Sequence, residues 1–173
     1  MPINQTKVYN QLLELEYMNE GQRKKSLQII FRRDVEENKE FKFNGKNINP
    51  NKLEDDQTSL EVLFDHLTCK RYSQSDTSRE FDIERSKRLH WVKVHIDLGC
   101  LDHCKVFSCL DRNQQNNRDE VRTYIFNEVE SYVVILRPYR DKNGYYLLTA
   151  YFLDGRNPDK IKKKYKRRFP EVY

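Results

Sequence analysis

Arg85 and Arg88 are the side chains best suited to holding a phosphate. They stand three residues apart in Asp82–Asp97, DIERSKRLHWVKVHID, a spacing that puts both on one side of a helix. A guanidinium fork matches phosphate oxygens two at a time. Lys87 and Lys93 extend the basic surface, and a solvated helix face is the bland use of such a run. His66 lies near the end of a second helical pattern, where a lone histidine is usually a surface or hydrogen-bonded residue. Thr149 interrupts the apolar run Tyr146–Tyr151, and a hydroxyl there must bond a neighbour or face a cleft. Cys100, His103, Cys104 and Cys109, with His66, Cys69 or His95, contain zinc-ligand chemistry but lack a tight C-x2-C pair. Reduced core thiols and no metal are expected. The last basic run, Lys160 to Arg168, surrounds Ile161, Tyr165 and Phe169, a narrow stripe that can dock while Lys162, Lys163, Lys166 and Arg167 stay solvated, suited to sequence-blind phosphate contact.

The elements that must position these groups are legible from periodicity. Ser131–Arg137 and Tyr145–Asp154 are nearly continuous apolar runs joined by a connection ending in Asn-Gly, which reads as a hairpin in the middle of a sheet. Lys105–Leu110 and Arg122–Val129 precede them, giving about four sequential antiparallel strands, with Asp111–Asp119 as a polar loop. Glu40–Ile48 reads as a small hairpin or turn outside the core sheet. Helices are predicted over Gln5–Tyr17, over Ser26–Val35, after a capping box of Thr58 and Glu61, after an Asp82 N-cap, and from Asn157-Pro158 onward. Lys70–Glu80 is predicted as a loop. The class is α+β.

The chain has 173 residues, 37% hydrophobic and 34% charged, which suits one domain with a modest core. A net charge of +5 matters less than the basic clustering near the C-terminal end. No apolar run approaches the roughly 20 residues of a membrane helix. MPINQTK has no apolar signal segment, so a cytoplasmic location is expected.

Five segments in this order carry a family resemblance: FDHLT at Phe64–Thr68, SREFDIERSKRLHW at Ser78–Trp91, SYVVIL at Ser131–Leu136, YYLLTAYFLD at Tyr145–Asp154 and KKKYKRR at Lys162–Arg168. Over roughly residues 41–168 the chain resembles phage- and mobile-element-associated nucleases of the barnase–EndoU–colicin–RelE superfamily. The resemblance implies a helical N-terminal half packed on a curved four- to five-stranded antiparallel sheet with a basic C-terminal helix. It implies one domain over 1–173, with 1–38 as a helical extension and 39–173 as the nuclease core. It further implies a metal-independent, cofactor-free endoribonuclease of toxin or phage-defence type. RNA (tRNA or mRNA) is the substrate, and an antitoxin or inhibitor protein is a partner.

In such chemistry a base takes the ribose 2′-OH proton, the oxygen attacks the adjacent phosphorus, and an acid protonates the leaving oxygen. His66 is then the best acid or base. Arg85 and Arg88 serve the transition state, Thr149 and Tyr151 bond the phosphate or a base, and Arg79, Lys93 and Tyr132 contact RNA nearby. His66, Arg85 and Arg88 are expected to converge on the sheet face carrying Thr149 and Tyr151. His90, just before Trp91, departs from the apolar residue or proline expected there. Two other classes remain: a nucleic-acid-binding protein without catalysis, built on the same basic helices, and a structural phage protein.

Overall fold

The computed structural model describes residues 3–50, 59–71, 78–97, 101–113, 117–155 and 157–173. Four long strands form an antiparallel meander: β5 (Cys104–Asn113), β6 (Arg118–Asn127), β7 (Tyr132–Pro138) and β8 (Gly144–Phe152). The hairpin β1 (Lys42–Phe43) and β2 (Lys46–Pro50) precedes them in the chain and extends their sheet. β2 pairs with β8 in parallel, giving the order β1-β2-β8-β7-β6-β5. The fold is thus α+β, as the periodicity indicates, but the sheet is six-stranded and mixed. The hairpin joins it because Phe43 and Ile48 are both core residues.

The β5–β6 ladder also runs further than predicted, through Asn113 and Arg118. Cross-strand charge pairs hold this polar ribbon: Arg122 with Asp111 at 3.3 Å and Arg112 with Asp119 at 3.3 Å.

Both faces of the sheet are covered, which is why β7 and β8 read as unbroken apolar runs. One face presents Ile125, Tyr132, Val134, Leu136, Leu147 and Ala150 to the N-terminal half. The other presents Phe107, Tyr124, Phe126, Val133 and Ile135 to Ile161 and Tyr165 of α5 (Asn157–Lys166). The β7–β8 register shifts between Ile135 and Leu136, so that Ile135 faces Thr149 and Leu136 faces Leu147. Leu148 is left as the bulged residue.

The helical expectations hold in part. α1 (Glu20–Phe31) starts at Asn19 through a capping box with Gln22, then loosens into one π turn over Arg32–Glu36. α2 (Ser59–Thr68) forms as predicted, although its Thr58 cap lies outside the described residues. Gln5–Tyr17 is not a helix. A single 3-10 turn, Ile3–Thr6, leads into an extended strap that buries Leu13 and Leu15 while Val8 and Leu12 stay exposed. The strap is tied down by Leu13 N–H to Lys87 O and by Trp91 Nε1–H to Gln11 O. Leu13 and Leu15 obey a period of two, which helical counting absorbed.

The long helix predicted after Asp82 is two short ones, α3 (Ile83–Ser86) and α4 (Trp91–Ile96). Between them Arg88, Leu89 and Trp91 each donate to the residue three before, a tighter winding than an α-helix. A two-stranded ribbon, β3 (Cys69–Lys70) with β4 (Glu80–Phe81), joins α2 to α3.

Beyond α5 the chain crosses the outer edge of β5. Phe169 N–H donates to Ser108 O, and Tyr173 bonds the Ser108 and Thr123 hydroxyls on the pleat opposite Phe107. An edge strand is thereby covered.

Cys104 is disulfide-bonded, which corrects the expectation of reduced thiols throughout; Cys69 and Cys109 are free. Among the described residues no three His, Cys, Asp or Glu side chains gather as a metal site, and no helix is long and apolar enough to cross a membrane.

Candidate nucleic-acid interface

β2 covers the outer edge of β8 only from Gly144 to Leu147. Past that point the C-terminal turn of α2 stands against the strand. The His66 ring nitrogen Nδ1 lies 3.2 Å from Leu148 O, and the Thr149 hydroxyl donates to His66 O at 3.2 Å. The last carbonyls of a helix have no partner within it, and here α3 supplies them. Arg85 Nη1 donates to His66 O at 2.7 Å and to Cys69 O at 2.8 Å, while Ser86 Oγ and Asp82 N–H both donate to Thr68 O. The negative end of the α2 dipole favours cations at this place.

The Arg85 guanidinium also stacks over the Tyr151 ring at 5.2 Å and opens onto a cavity of about 400 Å³. Its cationic lining is Lys70, Arg71, Arg85, Lys160 and Lys164, with Asp82, Glu84 and Asp154 as acidic neighbours. Arg85 Nε is buried without a hydrogen-bond partner among the described residues.

The electrostatics of this corner are those of an anion site. Burial, then repulsion from Arg79, Arg71 and Arg85, pulls the His66 pKa down to about 4, against the opposing bond to Leu148 O. The ring is therefore neutral at pH 7. A carbonyl can only accept, so Nδ1 carries the proton and the lone pair sits on Nε2. Burial, followed by Arg71 and Arg85, lowers Arg79 to about 10. Burial raises the Tyr151 phenol and Arg85 opposes it, so the phenol stays protonated at neutral pH. Guanidiniums that disfavour one another are relieved by a bound anion.

His66, Arg85, Thr149, Tyr151 and Arg79 are thus brought together, Arg79 through Nη1 to Cys69 O at 3.5 Å, although of these five only Arg85 and Tyr151 line the cavity itself. Arg88 is not. It is 8% exposed on the opposite face, 4.1 Å over Phe152 and 3.0 Å from Glu84 Oε2. Its guanidinium folds back onto Glu84 instead, donating from Nη1 to both the main-chain carbonyl and the carboxylate of that residue. Tyr132 is likewise core, 1% exposed and packed edge-on against Trp91. It is in register with Phe152, one residue past Tyr151 and therefore on the other face. Lys93 pairs with Asp97 on α4, away from the cavity lining. Lys162 pairs with Glu128 at 2.9 Å, and Lys163, Lys166 and Arg167 are exposed residues outside the cavity lining. His90 is buried and bonds Val8 O at 3.3 Å, which explains it as an anchor for the N-terminal strap.

Sequence reasoning missed Lys70, Arg71, Lys160 and Lys164. For the last two a signal existed: they are four apart and flank Ile161, the one buried residue of α5, so they share its sheetward side.

Fold and cleft together define an α+β protein with a cationic pocket at the end of a central strand, beyond its pairing with β2. Compared with protein-family models, curated proteins and solved structures, the chain matches none.

Proposed function

We propose that the protein is a metal-independent endoribonuclease of the barnase–EndoU–colicin–RelE type, acting on RNA in the cytoplasm as a toxin or phage-defence factor and restrained by an antitoxin or inhibitor. The observation that carries this reading is the placement of a neutral His66, with its Nε2 lone pair free of a proton, among Arg71, Arg79 and Arg85, the last of which stacks over Tyr151. A phosphodiester bound by the guanidiniums offsets their repulsion and raises the basicity of His66. Nε2 then takes the 2′-OH proton, the oxygen attacks phosphorus, and the 5′-oxygen leaves with a proton from the Tyr151 phenol. The products are a 2′,3′-cyclic phosphate and a 5′-hydroxyl. Arg85 stabilises the charge that develops on the phosphorane.

One observation favours the second reading, nucleic-acid binding without catalysis: an imidazole held near pKa 4 is a weak base until an anion arrives. Purified protein incubated with total RNA in EDTA separates the two. The nuclease reading expects cleavage that His66→Ala and Arg85→Ala abolish. RNA retention without cleavage leaves the binding reading. The Cys104 disulfide counts against the cytoplasmic part of this reading, because disulfides are rare in that reducing compartment.

A further inference from the structure

The half of β8 that carries Tyr151 continues toward the β7–β8 turn as a line of partly buried side chains, Tyr146, Leu148, Thr149 and Tyr151, of which Leu148 and Tyr151 rest against the core, while Tyr145, Leu147 and Ala150 are buried. At its far end Tyr146 packs against Tyr139 with ring centroids 4.4 Å apart, and the Arg137 guanidinium stacks over Tyr146 at 5.0 Å. This cluster is rigidly mounted. Asn49 Nδ2 donates to the Tyr139 hydroxyl, Tyr139 N–H donates to Gly144 O, and the Tyr139 ring lies so close over Gly144 that a Cβ there would meet it at 2.7 Å.

We propose that Tyr146, with Tyr139 and Arg137, is a stacking platform for bases of single-stranded RNA whose phosphate backbone continues along β8 into the Arg85 cleft. The proposal rests on the nuclease reading for the identity of the polymer, and extends it by naming the strandedness and the path. Three features point to this occupant. Partly exposed aromatic rings paired with arginine hold unstacked bases regardless of sequence. Five residues of strand span about 15 Å, so platform and cleft are separated by more than one nucleotide. Arginines stand at both ends of the line, Arg137 beside Tyr146 and also paired with Glu120 at 3.5 Å, and Arg85 beside Tyr151, which suits a polyanion and not an apolar peptide.

The test uses the full chain and 2′-O-methyl oligonucleotides, which bind but cannot be cleaved, followed by fluorescence anisotropy. The probes are a dinucleotide, a single strand of about eight nucleotides, within the site sizes such surfaces take, and the same eight-mer as a duplex. The expected result has the single-stranded eight-mer binding most tightly. Tyr146→Leu, which keeps apolar bulk, weakens that eight-mer about 10-fold, a typical loss for one base stack, and leaves the dinucleotide unchanged. Tyr146→Phe restores wild-type binding. Equal binding of the eight-mer by wild type and Tyr146→Leu, a preference for duplex, parallel loss of both lengths, or no binding at all overturns the proposal. Failure of cleavage with this length dependence intact would sink only the nuclease reading. Intact cleavage with no Tyr146 effect would sink only the platform.

Discussion

Arg85 donates from Nη1 to the main-chain carbonyl of His66 at 2.7 Å, so the guanidinium that faces the cleft also closes the C-terminal turn of α2. Ligand binding and local structure are joined in one side chain. Arg85→Ala leaves His66 O to Thr149 alone and Cys69 O to the long Arg79 contact. The expected cost is about 1–3 kcal/mol of stability together with loss of RNA binding. Arg85→Lys keeps the charge but not the fork and is expected to recover more stability than binding. Urea denaturation and anisotropy read the two effects separately. Equal recovery of both would mean that only charge matters at this position.

Gly144→Ala tests how the platform is mounted. Gly144 does not use the left-handed region; the positive φ of this turn falls on Lys142. What the site lacks is space, since a Cβ would meet Tyr139 at 2.7 Å and the Asn47 carbonyl at 3.0 Å. The ring can turn aside but the β2 backbone cannot do so freely. A loss of about 1–3 kcal/mol is expected, measured by thermal or urea unfolding. A wild-type midpoint would mean that the strands part at little cost.

Acid should destabilise the protein. Burial lowers both His66 and His95 to about 4, below their unfolded value of 6.5. Between those limits the unfolded chain binds protons that the folded chain refuses, so stability is complete above about pH 6.5 and is lost as pH falls toward 4. His95 is fully buried between the Trp91 carbonyl and the Asn127 amide, away from the cleft, and its folded pKa lies as low as that of His66, so the two carry the loss together. His95→Gln is expected to flatten the pH dependence of the urea midpoint. An unchanged slope would place the proton uptake elsewhere.

The lysines of α5 should divide by side. Lys160 and Lys164 line the cavity, and Lys164 also bonds Asp111. Replacing Lys160 and Lys164 with Gln is expected to weaken RNA binding more, and to flatten its salt dependence more, than replacing Lys162 and Lys163. Salt titrations of the two double variants decide this, and equal slopes would mean that all of α5 acts as one diffuse charge.

Thiol chemistry checks the disulfide. Without reductant Cys69 should alkylate in the native protein, Cys109 only after denaturation, and Cys104 only after reduction. Cys109 is 2% exposed, and burial pushes its thiol pKa up, which slows it further. Peptide mass spectrometry reads each site, and native labelling of Cys104 would rule the bond out.

The sequence by itself determined what depends on short separations. Strands β5 to β8, helices α2 and α5 and the Asp82 cap are encoded by side chains a few residues apart, and so is the pairing of Thr149 with Tyr151 on one face. Tertiary structure decided everything that depends on register or on a break in periodicity. Tyr132 lies opposite Tyr151 because β7 and β8 align it with Phe152. Arg88 parts from Arg85 because its guanidinium packs over Phe152 and bonds Glu84. The strap around Leu13 and Leu15 and the parallel pairing of β2 with β8 join residues far apart in the chain. Such pairings are chosen by which partner buries the most apolar surface once the whole core has formed, and no local pattern of residues contains that choice.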